Sequence, residues 1–315
     1  MDYFLHSVEL PFSKIKLFYR EINAKEQLLL AKSAILYPYG EENDFDYITA
    51  TEKIILNCIE NKEDFYKLNI IDYILFLTKL RIISIGKEVE LEFEKVTKEN
   101  MKIKSTIDLE TFIKILYNTV VETKFEEPIE YKNIKIKLNW PNIKSKFLLL
   151  ENKKNILITL TEFIEKMTVD ENTSIDLQKF TTKQKEEIFD KFPFNIRLKI
   201  QNKVLEAITI LVNKNLFNID NMDWFRFTVY DSSYFHFLRL IFSTNLKSLY
   251  QENYLLAAKN INMSYVDKMS ISDKKVYCAM VEEEFKSKTS NNSNQDYKIP
   301  AGNTSLADLI SEFEG

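Results

Sequence analysis

The sequence predicts an α+β N-terminal domain followed by a mostly α-helical C-terminal domain. Three observations carry that expectation. Period-two alternation of apolar and polar residues is confined to the chain before Pro141. Helical periodicity dominates from Lys144 to Phe285. From Ser287 the chain turns into SKTSNNSNQDYKIPAGNTS, a polar composition that cannot build a core. The expected divisions are an α+β domain over 1–143, a helical domain over 144–286, a flexible linker over 287–302 and a short amphipathic helix over 303–315.

The elements follow in order. In Lys14–Arg20, Ile15, Leu17 and Tyr19 alternate with Lys14, Lys16 and Arg20, as in a half-buried strand. Asn23, with Glu26 three positions later, has the spacing of a capping box and opens the helix AKEQLLLAKSAIL. Pro38 and Gly40 interrupt the chain, and Thr49 with Glu52 predicts a second helix through Ile54, Ile55, Cys58 and Ile59. A third helix, from about Asp72 to Ile85, is apolar nearly all round and so must be enclosed; Gly86 is placed as its C-cap. In KEVELEFEK, Val89, Leu91 and Phe93 alternate with Glu88, Glu90, Glu92 and Glu94, and Met101–Ser105 is a candidate strand partner. Asp108 opens a helix to Tyr117. Ile134, Ile136, Leu138 and Trp140 then define a strand that Pro141 ends, since proline offers no N–H to a ladder. Lys144–Met167 reads as helical with a break near Lys153–Asn155. Thr181 and Gln184 form another capping pair, and helical patterns continue through Asn195–Val212, Ser232–Ser243, Leu246–Lys259 and Ser272–Phe285.

Composition removes several function classes. Of 315 residues only four are glycine, Gly40, Gly86, Gly302 and Gly315, and no two are spaced to let backbone N–H groups cradle a phosphate. The formal charge is −4, with Lys and Glu interleaved, which argues against nucleic-acid binding. The longest apolar stretch, around Ile70–Ile85, is interrupted by Asp72, Thr78, Lys79 and Arg81 and cannot span a bilayer, so no membrane partner is expected. Cys58 and Cys278 each lie in apolar helical pattern and read as buried free thiols of a reducing cytoplasm.

Candidate chemistry is sparse. His6 and His236 have no Cys or carboxylate at metal-ligand spacing, so neither a metal nor a cofactor is expected. Cys278 and His236 could form a nucleophile–base pair only if the fold joined them; a packed helix residue is the plainer account of His236. The row Glu88, Glu90, Glu92, Glu94 could pair carboxylates, yet period two makes it the wet face of a strand. The one segment asking for an outside surface is SLADLISEFEG, where Leu306, Leu309, Ile310 and Phe313 share a helical face at i, i+3, i+4, i+7. A helix so short is marginal alone in water. Those four residues are the candidate partner-binding site; folding back onto the chain's own core is the alternative.

Two stretches carry a resemblance. LPFSKIKLFYREINAKEQLLLAK, the IILNCIE helix and NIIDYILFLTKLRIISIGKEVELEFE are similar to segments of the T-even-type phage baseplate hub protein family. The matching positions include Leu10, Pro11, Arg20, Lys25, Glu26, Asp72, Lys79, Leu80, Arg81, Ser84 and Gly86. Residues 250–284 resemble the family's C-terminal helices, with Asp273 and Lys274 where the family has Glu and Arg. The resemblance implies a non-enzymatic part in building the baseplate hub, with other hub or tape-measure proteins as partners. It leaves two roles open: an assembly factor or chaperone acting in the host cytoplasm, or a structural subunit of the mature virion baseplate. A tail-associated cell-wall hydrolase is a third expectation, weighed down by the scarcity of His and Gly.

Overall fold

The computed structural model describes residues 5–38, 41–95, 101–125, 127–146, 148, 156–169, 173–217, 232–242 and 244–291. Its N-terminal part mixes helices with small sheets. From residue 182 onward every element among the described residues is helical.

The chain opens with a hairpin of β1 (His6–Glu9) and β2 (Lys16–Tyr19), antiparallel with Val8 opposite Leu17. The alternation holds: Leu17 and Tyr19 are buried and Phe18 is exposed. Helix α1 (Ala24–Leu36) begins at the expected capping box, with the Asn23 side chain accepting from the Glu26 amide at 2.8 Å and Glu26 Oε2 accepting from the Asn23 amide at 3.0 Å. The expected start of the second helix at Thr49 is corrected. Helix α2 runs Glu41–Ile55, and Thr49 sits inside it, its hydroxyl donating back to the Phe45 carbonyl at 2.9 Å. Glu52 is therefore free of capping duty and pairs elsewhere. A short α3 (Lys62–Phe65) leads to α4 (Ile70–Ser84), capped by Asn69 through the Asp72 amide.

Twelve of the fifteen residues of α4 are buried, so it has neighbours on nearly every side, as its all-round apolarity requires. Half-buried Lys79 marks where it meets the surface. Gly86 follows the C-cap at φ 126°, a conformation only glycine adopts without strain.

The acidic strand β3 (Glu88–Lys95) pairs with β4 (Met101–Asp108), and the register sets Glu92 opposite Lys104. Asp108 caps α5 (Leu109–Glu122), accepting from the Glu110 amide at 3.0 Å.

A four-stranded antiparallel sheet follows: β5 (Ile129–Tyr131), β6 (Ile134–Leu138), β7 (Ile164–Thr168) and β8 (Ser174–Asp176), in that order. It corrects the expectation of helix over Lys144–Met167. Ile143–Ser145 and Ile156–Phe163 are 3₁₀ turns and Ile164–Thr168 is a strand. The segment is dense in Ile and Thr, whose branched side chains suit a pleated surface, and β6 offers a ladder edge to pair with, Ile136 opposite Met167. The sheet thus joins segments from both sides of position 143.

Helix α6 (Thr182–Asp190) starts at the expected Thr181–Gln184 capping box. Then come α7 (Phe194–Asn213), α8 (Ser232–Ile241), α9 (Leu246–Ala258), α10 (Met263–Val266) and α11 (Ile271–Asn291). The last helix continues past Ser287, where the linker was expected to begin. One hydrophobic cluster extends from Val8 to Phe242 and reaches Ile271; a smaller one gathers Leu256, Val266, Met269, Cys278 and Val281 between α9, α10 and α11. The small cluster is tied to α1 by the Ala24 amide donating to the Met269 carbonyl at 3.0 Å.

Candidate functional site

The residues that carry the family resemblance converge on joints of the fold. The LPFS segment turns β1 into β2, and Asp72 of α4 anchors that turn across 60 positions of sequence. Its carboxylate accepts from the Phe12 amide at 3.2 Å, and from the amide and hydroxyl of Ser13. Burial pushes the Asp72 carboxyl above its usual range, while the Ser13 and Phe12 hydrogen bonds pull the other way.

Arg20 grips Glu26 at 2.6 Å and 2.8 Å and donates to the Asn57 carbonyl at 3.0 Å, joining β2, α1 and the turn after α2. The Cys58 thiol donates to the same Glu26 at 3.5 Å, and burial raises it far above the range of a reactive thiol. Arg81 is buried with no carboxylate partner among the described residues. It donates instead to three carbonyls: Ile241 at 2.6 Å, Gly86 at 2.5 Å and Glu88 at 3.3 Å. Desolvation lowers this guanidinium to about 10. The Ser84 hydroxyl accepts from the Ile22 amide at 2.9 Å.

Further buried ion pairs fasten segments distant in sequence. Lys146 meets Glu52 at 2.7 Å, and Tyr73 donates to the same carboxylate at 2.9 Å. Lys185 meets Glu162 at 2.7 Å, with Ser145 and Thr182 hydroxyls donating to it at 2.6 Å and 2.9 Å, and these donors hold its carboxyl below the usual range despite burial. Arg239 meets Asp44 at 3.3 Å and lies 4.0 Å over the Tyr47 ring. Charges so placed are compensated within the fold, which suits structural fastening.

Among the described residues the two thiols lie in separate parts of the core. Cys278 lies in the small cluster of α11, where burial raises its thiol, while Cys58 lies in the main core. The backbone of His236 belongs to α8, and its side chain lies outside the described residues, as do those of Glu92 and Glu94. His6 sits 3.5 Å from Glu21 at the edge of the first hairpin. Among the described residues no group of three or more His, Cys, Asp or Glu is placed to hold a metal ion, and no helix is long and apolar enough to cross a membrane. Leu306, Leu309, Ile310 and Phe313 lie outside the described residues.

One concave surface stands out that sequence reasoning missed. A cleft of about 410 Å³ opens where the LP turn meets α4 and α5. Glu9, Leu10 and Pro11 form one end, Leu75 and Lys79 of α4 one wall, and Ile113, Lys114, Tyr117 and Asn118 of α5 the other. Tyr117 is 42% exposed and its ring lies 5.7 Å from that of Phe12; Val121, one turn on, is also exposed. Neither Lys79 nor Lys114 has an acidic partner among the described residues. Lys79 is a half-buried cation on α4, whose other charged residues, Asp72 and Arg81, are buried. That was the one available signal, and only the packing of α5 showed its use.

Its buried ionic groups fasten distant segments of the fold, and the cleft at the LP turn lies open on its surface. The family model described as T4 bacteriophage base plate protein matches residues 3–217, about two thirds of the chain, and the chain belongs to that family. The matched part contains every joint residue from Leu10 to Gly86; residues 250–284, which also resemble the family, lie outside it. No curated protein and no solved structure matches the chain.

Proposed function

We propose that this protein is a non-catalytic assembly factor of the baseplate hub, holding a hub or tape-measure protein in the host cytoplasm before the baseplate is complete. The observation that carries the reading is the use of its polar chemistry. The family-matched positions Arg20, Glu26, Asp72, Arg81 and Ser84 are engaged in internal joints. Both thiols are buried and raised. What is left for a partner is apolar surface and the C-terminal segment, whose Leu306, Leu309, Ile310 and Phe313 fall beyond the family-matched residues. An amphipathic helix that reaches a groove on another protein is a recurrent recognition device.

Replacing Leu309→Asp together with Phe313→Asp should sharply weaken capture of phage tail proteins in a pull-down from infected cells while the circular-dichroism spectrum stays that of the folded protein. Capture that survives both charges removes the docking role. The family's description as a base plate protein also favours a second reading, a structural subunit of the mature hub. Counting this chain by mass spectrometry in purified infectious particles decides between them: stoichiometric retention supports the subunit and excludes the transient factor. Lysis of cell-wall material by the pure protein would overturn both in favour of a hydrolase.

A further inference from the structure

We propose that the cleft between the LP turn, α4 and α5 is the resting seat of the chain's own C-terminal helix, so that the segment offered to a tail partner is held in cis until displaced. The inference rests on the docking-helix reading above and adds where the helix is kept. Three observations point to this occupant.

The first is shape and apolarity. Leu10, Leu75, Ile113 and Tyr117 line a concave floor of about 410 Å³, enough for the anchor side chains of a short helix. The second is charge. Segment 303–315 carries Asp308, Glu312 and Glu314 and no basic residue. At about 100° per residue, Glu312 and Glu314 fall on opposite edges of the face formed by Leu306, Leu309, Ile310 and Phe313. The cleft offers one lysine from each helical wall, Lys79 and Lys114, both without an acidic partner among the described residues, against the single carboxylate of Glu9 at the end of β1, so its lining carries a net positive charge. An apolar stripe edged by carboxylates meets an apolar floor whose two helical walls each carry an ammonium group.

The third is reach. The fourteen residues 292–305 separate α11 from Leu306 and span up to roughly 45–50 Å when extended. A 315-residue protein has a radius of gyration of only about 20 Å. A tether of that length and polar composition gives an effective concentration on the order of millimolar. The cis site therefore outcompetes a second copy at any ordinary protein concentration.

The test uses the full chain with a photo-crosslinking phenylalanine analogue at position 313. Irradiation should join that residue to peptides containing residues 9–11, 75–79 or 113–118. In a mixture of isotopically heavy and light protein, every pair should be of one isotope. Lys79→Glu with Lys114→Glu should lower the yield at least about fivefold, and adding Glu312→Lys with Glu314→Lys should restore it. Crosslinks to any other surface, mixed-isotope pairs, or no crosslink overturn the proposal, and the unaltered lysines already decide its location should the reversed pair misfold. If the tail crosslinks elsewhere while Leu309 and Phe313 still capture tail proteins, the cleft is wrong and the docking helix stands. If it crosslinks in the cleft while capture ignores those residues, the resting seat stands and the docking role falls.

Discussion

Replacing Lys185→Met isolates one buried charge and makes its cost measurable. Lys185 is the only cation on Glu162 among the described residues, at 2.7 Å, and its side chain and that of Glu162 are 9% and 2% exposed. Methionine keeps the aliphatic stem and removes the ammonium. The carboxylate keeps the Ser145 and Thr182 hydroxyls, at 2.6 Å and 2.9 Å, but loses its counter-charge in a dry setting. Breaking a buried pair from one side costs about 3–5 kcal/mol, against a total stability of about 5–15 kcal/mol. For a chain of this size that corresponds to a fall in Tm of roughly 5–8 °C.

The pH dependence has a definite sign. In the native protein Glu162 is held below its ordinary value, so its contribution is fully present above the usual carboxylate range. It is lost as pH falls through the depressed folded value. In the variant, burial without the lysine reverses the shift, and protonation relieves the stranded charge. The deficit should therefore be larger at pH 7.5 than at pH 5. Glu162→Leu combined with Lys185→Met, which removes both charges, should recover at least half of it. Urea unfolding followed by circular dichroism at the two pH values measures each quantity. A deficit under about 1 kcal/mol, equal deficits at both pH values, or a double variant no more stable than the single one would refute the account.

Three other outcomes are expected. Arg81→Met strands the Ile241 and Gly86 carbonyls and loosens α8 from α4, costing about 3 kcal/mol or more in the same assay, since hydrogen bonds from a charged donor contribute about 1.5–3 kcal/mol each. Gly86→Ala meets no atom within 4 Å, so its whole effect is backbone strain at φ 126°, a loss of about 1–3 kcal/mol read from thermal melts; an unchanged Tm would remove the glycine requirement. Cys58 and Cys278 should react with iodoacetamide at pH 8 at least about tenfold more slowly in the native protein than in urea, because burial raises both thiols; equal rates would place one of them in a reactive setting.

Sequence alone determined what depends on near neighbours. Asn23 with Glu26, and Thr181 with Gln184, satisfy helix N-termini within one turn, and both boxes formed. The alternation of Glu88–Glu94 with Val89–Phe93 implied a strand and its pairing with Met101 onward, and the glycine after α4 implied its stop. The family resemblance was legible for the same reason: the LP turn and the TKLRIISIGKE segment keep their spacing along the chain.

Tertiary structure decided whatever depends on partners far away in sequence. Thr49 and Glu52 have the spacing of a cap, yet Glu52 is claimed by Lys146, 94 positions on, and the helix begins earlier. Ile164–Thr168 has apolar content that suits a helix or a strand, and the free edge of β6 settles it as a strand. Arg81 interrupts an apolar run in the sequence, and the carbonyl of Ile241, 160 positions away, holds it in the core. The cleft exists only because α5 packs across α4 beside the LP turn. Local hydrogen bonds and side-chain alternation are properties of a few consecutive residues. The pairing of a buried charge is a property of the assembled fold, because desolvation makes any unpaired alternative too costly to persist.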